Sequence, residues 1–268
     1  MRAIAVNFPE SDFPYSQLID RTVEACGIAR EAAAIAAESI ATRSEILLDI
    51  LRDHDKQLDL MEVEIGAGVA AALTQIDGRE VDGLLACAKL APGLKQISGL
   101  LVSTGTRAQT VECLDPQDTR DLIRMAAVLE KMLTYVGGAF ASRDLAKAAD
   151  ALQAQSEMSR ILNLFAMRHV SGSDNVQEHA PEVVSMANWL REAGDQAKTL
   201  AEGICHFVSG NRAFQDLITR NKPVQRKFLT WLQNREATSC RSDRGSVPGR
   251  TLRIQISPPF RTSRGIAR

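Results

Sequence analysis

The sequence predicts an all-α protein: two tandem three-helix bundles followed by a basic, largely disordered C-terminal tail. Three observations carry this expectation. Apolar residues recur at steps of three and four over long stretches, the signature of amphipathic helices. Aromatic residues make up only 4% of the chain while hydrophobic residues make up 45%, a balance rich in Ala and Leu that favours close helix packing over a sheet. No useful length before the tail alternates with a period of two. At 268 residues the chain can bury a substantial core.

After an irregular arm ending near Pro14, a first helix is expected from about Tyr15 to Ala41. Leu18, Val23, Ile28, Ala32, Ile35 and Ile40 keep helical spacing, and Ala25, Ala29 and Ala36 allow close approach. Ser44 is a plausible restart, and a second helix carries Leu47, Leu51, Leu58, Met61, Ile65 and Val69 before Ile76, Asp77 and Gly78 turn the chain. A third runs from about Glu80 to Arg107 through Leu84, Leu85, Ala88, Ala91, Leu94, Ile97 and Leu101, with Pro92 expected to bend it.

Asp115 and Pro116 form a short linker to a similar series. Asp118 to Ala141 is helical, with Leu122, Met125, Leu129, Leu133, Val136 and Phe140 on one face. Ser142 is the expected cap of the next helix, Arg143 to about His169, which the Ser171–Asp174 cluster closes. The last helix opens near Pro181 and Glu182, carries the stripe Met186, Leu190, Ala193, Ala197, Leu200, Ile204 and Phe207, and is expected to stop at Gly210 and Asn211. Its length is roughly 40 Å. Its other face alternates Arg191, Asp195, Lys198 and Glu202, so opposite charges are neighbours. A faint internal repeat places Leu94 on Leu190, Gly99 on Asp195 and Ala91 on Ala187.

Residues 211 to 236 retain an apolar rhythm and are expected to add a short helical extension. From 237 to 268 Ser, Arg, Gly and Pro dominate, a composition expected to be disordered. Overall charge is −1 but unevenly spread. Residues 211 to 268 hold 13 Lys/Arg against 3 Asp/Glu, leaving 19 against 30 in the body. The basic tail allows contact with nucleic acid or an anionic surface, although a solvated tail without a dedicated partner is favoured in the absence of interleaved aromatics.

No enzyme constellation is visible. His54, His169, His179 and His206 fall on different predicted elements without an HExxH or triad signature, and no glycine pattern cradles a phosphate. The five cysteines, Cys26, Cys87, Cys113, Cys205 and Cys240, form no CxxC pair and read as reduced thiols. The N-terminus has too short an apolar segment for a signal peptide, and no run approaches the length of a membrane span.

Two stretches carry a family resemblance. Ala187, Trp189, Leu190, Arg191, Glu192, Ala193, Gly194 and Asp195, with the ending Phe207, Val208, Ser209 and Gly210, resemble the closing helix of the second repeat in the PhoU family of bacterial phosphate-uptake regulators. Asp55 and Asp59, followed by Met61, Glu62 and Ile65, resemble the Asp-x-x-x-Asp, Leu-Glu-x-x-Ile pattern of its second helix. The resemblance covers about residues 10 to 210. It implies repeats over 10 to 114 and 115 to 210. It also implies carboxylates from adjacent helices gathered around metal, which makes Asp55, Asp59 and Asp195 the candidate ligands.

The sequence departs from the rest of that pattern. Lys95 and Gly99 stand where the third helix has Glu-x-x-x-Asp, Arg191 stands four before Asp195, and Gln155 and Ser159 replace the fourth acidic pair. Asp55, Asp59 and Glu62 therefore read as an ordinary solvated face; no cofactor is required, and any divalent metal is expected to bind weakly.

What the resemblance implies is a non-enzymatic regulatory adaptor in phosphate homeostasis. It would be cytoplasmic and peripheral at the inner face of the membrane, docking to the phosphate ABC transporter and a membrane sensor histidine kinase, with a homodimer allowed and no membrane insertion. The alternatives are a basic-tailed helical protein that binds nucleic acid, and a metal-dependent enzyme built on bundle carboxylates.

Overall fold

The structure, a computed structural model, describes residues 15–73, 81–111, 114–171 and 180–220. Among these residues all regular structure is helical: α1 (Tyr15–Thr42), α2 (Glu45–Ala72), α3 (Val81–Thr110), α4 (Pro116–Ser142), α5 (Leu145–Ser171) and α6 (Ala180–Arg220). α1, α2 and α3 pack against one another, as do α4, α5 and α6, and α1 also lies along α4 while α3 and α4 lie along α6. All six fall within one compact unit, Met1–Trp231. The two bundles share a single apolar core that runs from Leu18 to Cys205. The residues beyond Arg220, including the expected tail, lie outside the described residues, as do the arm before Tyr15 and the turn at 76–78.

Small residues let α1 sit centrally. Ala29, Ala32, Ala33 and Ala36 are fully buried, so neighbouring helices approach its backbone closely. The stripe on α6 is buried as its spacing demands, with Met186, Leu190, Ala193, Ala197, Leu200 and Ile204 inside and Phe207 against Phe140 at 5.9 Å. On its outer face Arg191 meets Asp195 at 2.8 Å, and Lys198 approaches Glu202 at 4.0 Å.

The joints between first and second helices of each bundle are built alike. α1 ends in Arg43 with φ 52° and α4 in Arg143 with φ 51°, left-handed residues 100 positions apart. Each is followed by a capping side chain. Ser44 accepts from Leu47 N at 3.5 Å, and Asp144 accepts from Ala146 N at 2.8 Å. The cap carbonyls then accept from Leu48 and Ala148, again 100 positions apart. A non-glycine residue in this conformation is disfavoured, so its use at both joints marks a turn imposed by the packing of the helices it connects.

Three sequence expectations are corrected. Ser142 does not cap α5; it is the last residue of α4, donating to Gly138 O at 2.5 Å, and Asp144 takes the capping role because Arg143 supplies the turn. Asp115 and Pro116 are not a linker but the N-cap and first residue of α4, with Asp115 accepting from Gln117 N at 2.7 Å. α6 does not stop at Gly210 and Asn211 but continues to Arg220; a helix tolerates one interior glycine at a cost of about 1 kcal/mol. α3 is one continuous helix through Pro92, which is exposed, so the N–H hydrogen bond that proline cannot donate is missing on the wet side.

Candidate functional site

The sequence-predicted acids fall on two seams, each formed where the second and third helix of a bundle meet. In the first seam α2 presents Asp55 and Asp59 one turn apart, opposite Gly99 and Lys95 on α3. Lys95 Nζ approaches Asp59 Oδ1 at 3.4 Å. Asp55 Oδ1 is buried and has no hydrogen-bond partner, and a Cβ built on Gly99 would lie 4.0 Å from it. The missing side chain at Gly99 thus leaves open space beside one carboxylate oxygen. Glu62, on the next turn of α2, is half-buried.

In the second seam α5 presents Gln155 and Ser159, opposite Asp195 and Arg191 on α6. Both oxygens of Asp195 are engaged: Gln155 Nε2 donates to Oδ1 at 2.6 Å and Arg191 Nη1 to Oδ2 at 2.8 Å. Ser159 donates to the Gln155 carbonyl at 3.1 Å, so its hydroxyl is committed to its own helix. Close approach here depends on Gly194, where a Cβ would lie 3.0 Å from Gln155 Oε1 and 3.3 Å from Met158 Cε. Asp55 and Asp59 therefore share one seam and Asp195 belongs to the other. Among the described residues no group of three or more His, Cys, Asp or Glu side chains is placed to hold a metal ion.

A third polar cluster was not singled out from the sequence. Asp118 and Asp121, each only 4% exposed, lie in the first turns of α4 and face the end of α5. Arg168 Nη2 reaches Asp118 Oδ1 at 3.1 Å and Asp121 Oδ2 at 2.5 Å, and His169 Nε2 lies 3.2 Å from the same Asp118 oxygen. Phe165 floors the cluster, 4.5 Å from the His169 ring and 5.6 Å from the Arg168 guanidinium. Partial burial opposes the charge on Arg168, but hydrogen bonds to Asp118 and Asp121 outweigh it and hold the guanidinium pKa above its ordinary value. This ion cluster pins the loop end of α5 onto α4. Its only sequence signal was the i, i+3 spacing of the two aspartates.

The described thiols carry no reactive signature. Cys26, Cys87 and Cys205 are buried and in no disulfide, and burial pushes Cys26 up to about 12 and Cys205 up to about 11. Cys113 and Cys240 lie outside the described residues. His54, His169 and His206 stand on α2, α5 and α6, whereas His179 lies outside the described residues. No described helix is long and apolar enough to cross a membrane.

The six described helices, in two like-built bundles on one core with polar seams between second and third helices, define the class as a tandem three-helix-bundle repeat. Two of its solved neighbours are PhoU proteins. The chain is similar to the crystal structure of PhoU from Pseudomonas aeruginosa, with a TM-score of 0.68 and 18% identity over 73% of this chain and 97% of that one. It is also similar to the phosphate transport system regulatory protein PhoU from Streptococcus pneumoniae, with a TM-score of 0.67 and 12% identity over 74% of this chain and 96% of that one. No protein-family model and no curated protein sequence matches the chain. At such identities the likeness is one of fold: the chain has the PhoU fold, with side chains largely its own.

Proposed function

We propose that this chain is a PhoU-like regulatory adaptor in phosphate homeostasis. It docks to the cytoplasmic side of the phosphate ABC transporter and to a membrane sensor histidine kinase, restraining uptake and the starvation response when phosphate is plentiful. The observation that carries the reading is the extent of the structural likeness, which takes in 97% of one PhoU chain, both bundles included. Fold alone does not fix function, so the surface matters as well. Among the described residues, most large apolar side chains left exposed lie on the second helix of a bundle. Ile46, Ile50, Leu60 and Val63 are on α2, and Leu164 and Met167 are on α5. Exposed apolar residues on rigid helices suit recognition of protein partners.

Co-purification of the tagged full-length protein from phosphate-replete cells tests the reading. The transporter's ATP-binding subunit or the sensor kinase should be retained, and Leu60→Glu with Val63→Glu should reduce retention while leaving helicity intact. Recovery of neither partner, combined with salt-sensitive nucleic-acid binding that disappears on removing residues 237–268, would select the basic-tail alternative.

A further inference from the structure

We propose that Lys95 and Arg191 are built-in counter-cations standing where the PhoU resemblance implies divalent metal, neutralising the second seam and leaving a single net negative charge in the first, so that neither seam needs a bound ion. The inference rests on the seams alone and is independent of any role in phosphate signalling. It begins with register. Asp59 meets Lys95 and Asp55 faces Gly99, while Asp195 meets Gln155 and Arg191; in each seam the basic residue lies four positions before Gly99 or Asp195 on the third helix of its bundle. The two bundles thus place a cation at the same corner of the same lattice, once as an ammonium and once as a guanidinium.

The donor sets do not fit a metal. Hard divalent cations take six or more oxygen ligands or keep several waters beside one or two carboxylates. A cation entering the first seam would meet Asp55, an Asp59 already facing an ammonium at 3.4 Å, and the positive charge of Lys95 where a ligand oxygen would have to be. The buried, unpartnered Asp55 Oδ1 is one ligand and does not make a coordination shell. In the second seam both Asp195 oxygens are occupied, the Ser159 hydroxyl is turned to its own helix, and the remaining oxygen, Gln155 Oε1, is neutral.

The charge balance leads to the same conclusion. The four corners Asp55, Asp59, Lys95 and Gly99 sum to −1, and Gln155, Ser159, Arg191 and Asp195 sum to zero. A lattice of four carboxylates would repel itself strongly in a half-buried setting and require external cations. At −1 and zero these lattices carry far less repulsion, and a divalent ion approaching Asp59 or Asp195 would meet the positive charge of Lys95 or Arg191 already there.

The experiment uses the full-length protein, stripped with EDTA, dialysed against manganese chloride and analysed for bound manganese by mass spectrometry, with thermal unfolding followed in EDTA and in Mn²⁺. The wild type should retain no stoichiometric manganese and unfold at the same temperature in both buffers. Stoichiometric manganese that Asp55→Asn/Asp59→Asn or Asp195→Asn removes would overturn the proposal. Lys95→Glu/Gly99→Asp supplies two further carboxylates where a Cβ has room and should bind manganese with a Tm that rises in its presence. A folded double variant that takes up no more manganese than the wild type overturns the claim that Lys95 keeps metal out. Lys95→Gln removes the charge while adding no ligand carboxylate, and should raise manganese uptake above the wild-type level; unchanged uptake counts against the proposal in the same way.

Discussion

At the start of α1, Leu18 packs so closely on Gly68 of α2 that a Cβ there would lie 2.5 Å from Leu18 Cδ2, with Val69 buried beside it. At the corresponding place in the second bundle, 100 positions on, Asp118 meets Arg168 and His169. The first bundle closes this end with hydrocarbon and the second with buried charge, on a backbone plan whose joints at Arg43 and Arg143 are built alike. Helix register and joint geometry therefore set the scaffold, and either kind of filling satisfies it. The consequences differ. Apolar filling stabilises in proportion to the area it removes from water, whereas a buried ion cluster is worth little over an apolar one and becomes costly when one partner is lost.

The largest effects should come from the core that both bundles share. Leu94 and Leu190 are fully buried on the third helices, and Leu94→Ala and Leu190→Ala should each cost about 2–5 kcal/mol by denaturant unfolding. A loss below about 0.5 kcal/mol in either would mean that its helix face is wrongly placed. The closures come next. Arg168→Ala leaves two buried carboxylates without their shared cation and should cost about 1–3 kcal/mol. In the first bundle Arg21 pairs with Glu64 at the surface, so Arg21→Ala should cost only about 0–1 kcal/mol. Equal losses would erase the contrast between an ionic and an apolar closure.

The thiols sharpen the same comparison by chemistry. In a Cys113→Ser/Cys240→Ser background, native protein at mild alkaline pH should resist thiol reagents. Cys205, raised to about 11, should label before Cys26, raised to about 12. Both are acids whose folded pKa lies above the ordinary value of 9.0. The stability that their protonation contributes is complete below pH 9.0 and is lost as pH rises towards the folded values, so unfolding should become easier above pH 9.0. Rapid labelling of Cys26 in the folded state would contradict its burial.

The smallest effects belong to the seams. Lys95 and Arg191 pair with carboxylates at partly exposed positions, so Lys95→Met and Arg191→Met should each change stability by about 0–1 kcal/mol and less at high salt. A larger loss in either would mean that the seam holds its bundle together as well as balancing charge.

Much of this fold is written in local pattern. The stripe from Met186 to Ile204 and the Ser44 cap are properties of single segments, and the structure shows both as the spacing indicates. What local pattern missed depends on partners distant along the chain. Asp118 and Arg168 are 50 positions apart, and as separate segments each reads as a wet helix face. Ser142 and Asp144 are both good caps; the left-handed Arg143 between them decides which one opens α5. The seams were legible as sequence departures at Lys95, Gly99 and Arg191, but that Lys95 faces Asp59 while Gln155 and Arg191 close on Asp195 follows only from helix register.

The role of the two bundles is tested most directly by deleting the gene in its host and measuring phosphate-starvation reporter expression in phosphate-rich medium. Derepression should follow, and both the full-length chain and residues 1–236 should restore repression, because the shared core and both seams precede residue 211. A reporter that stays silent in the deletion strain, with phosphate import unchanged, would contradict the adaptor reading.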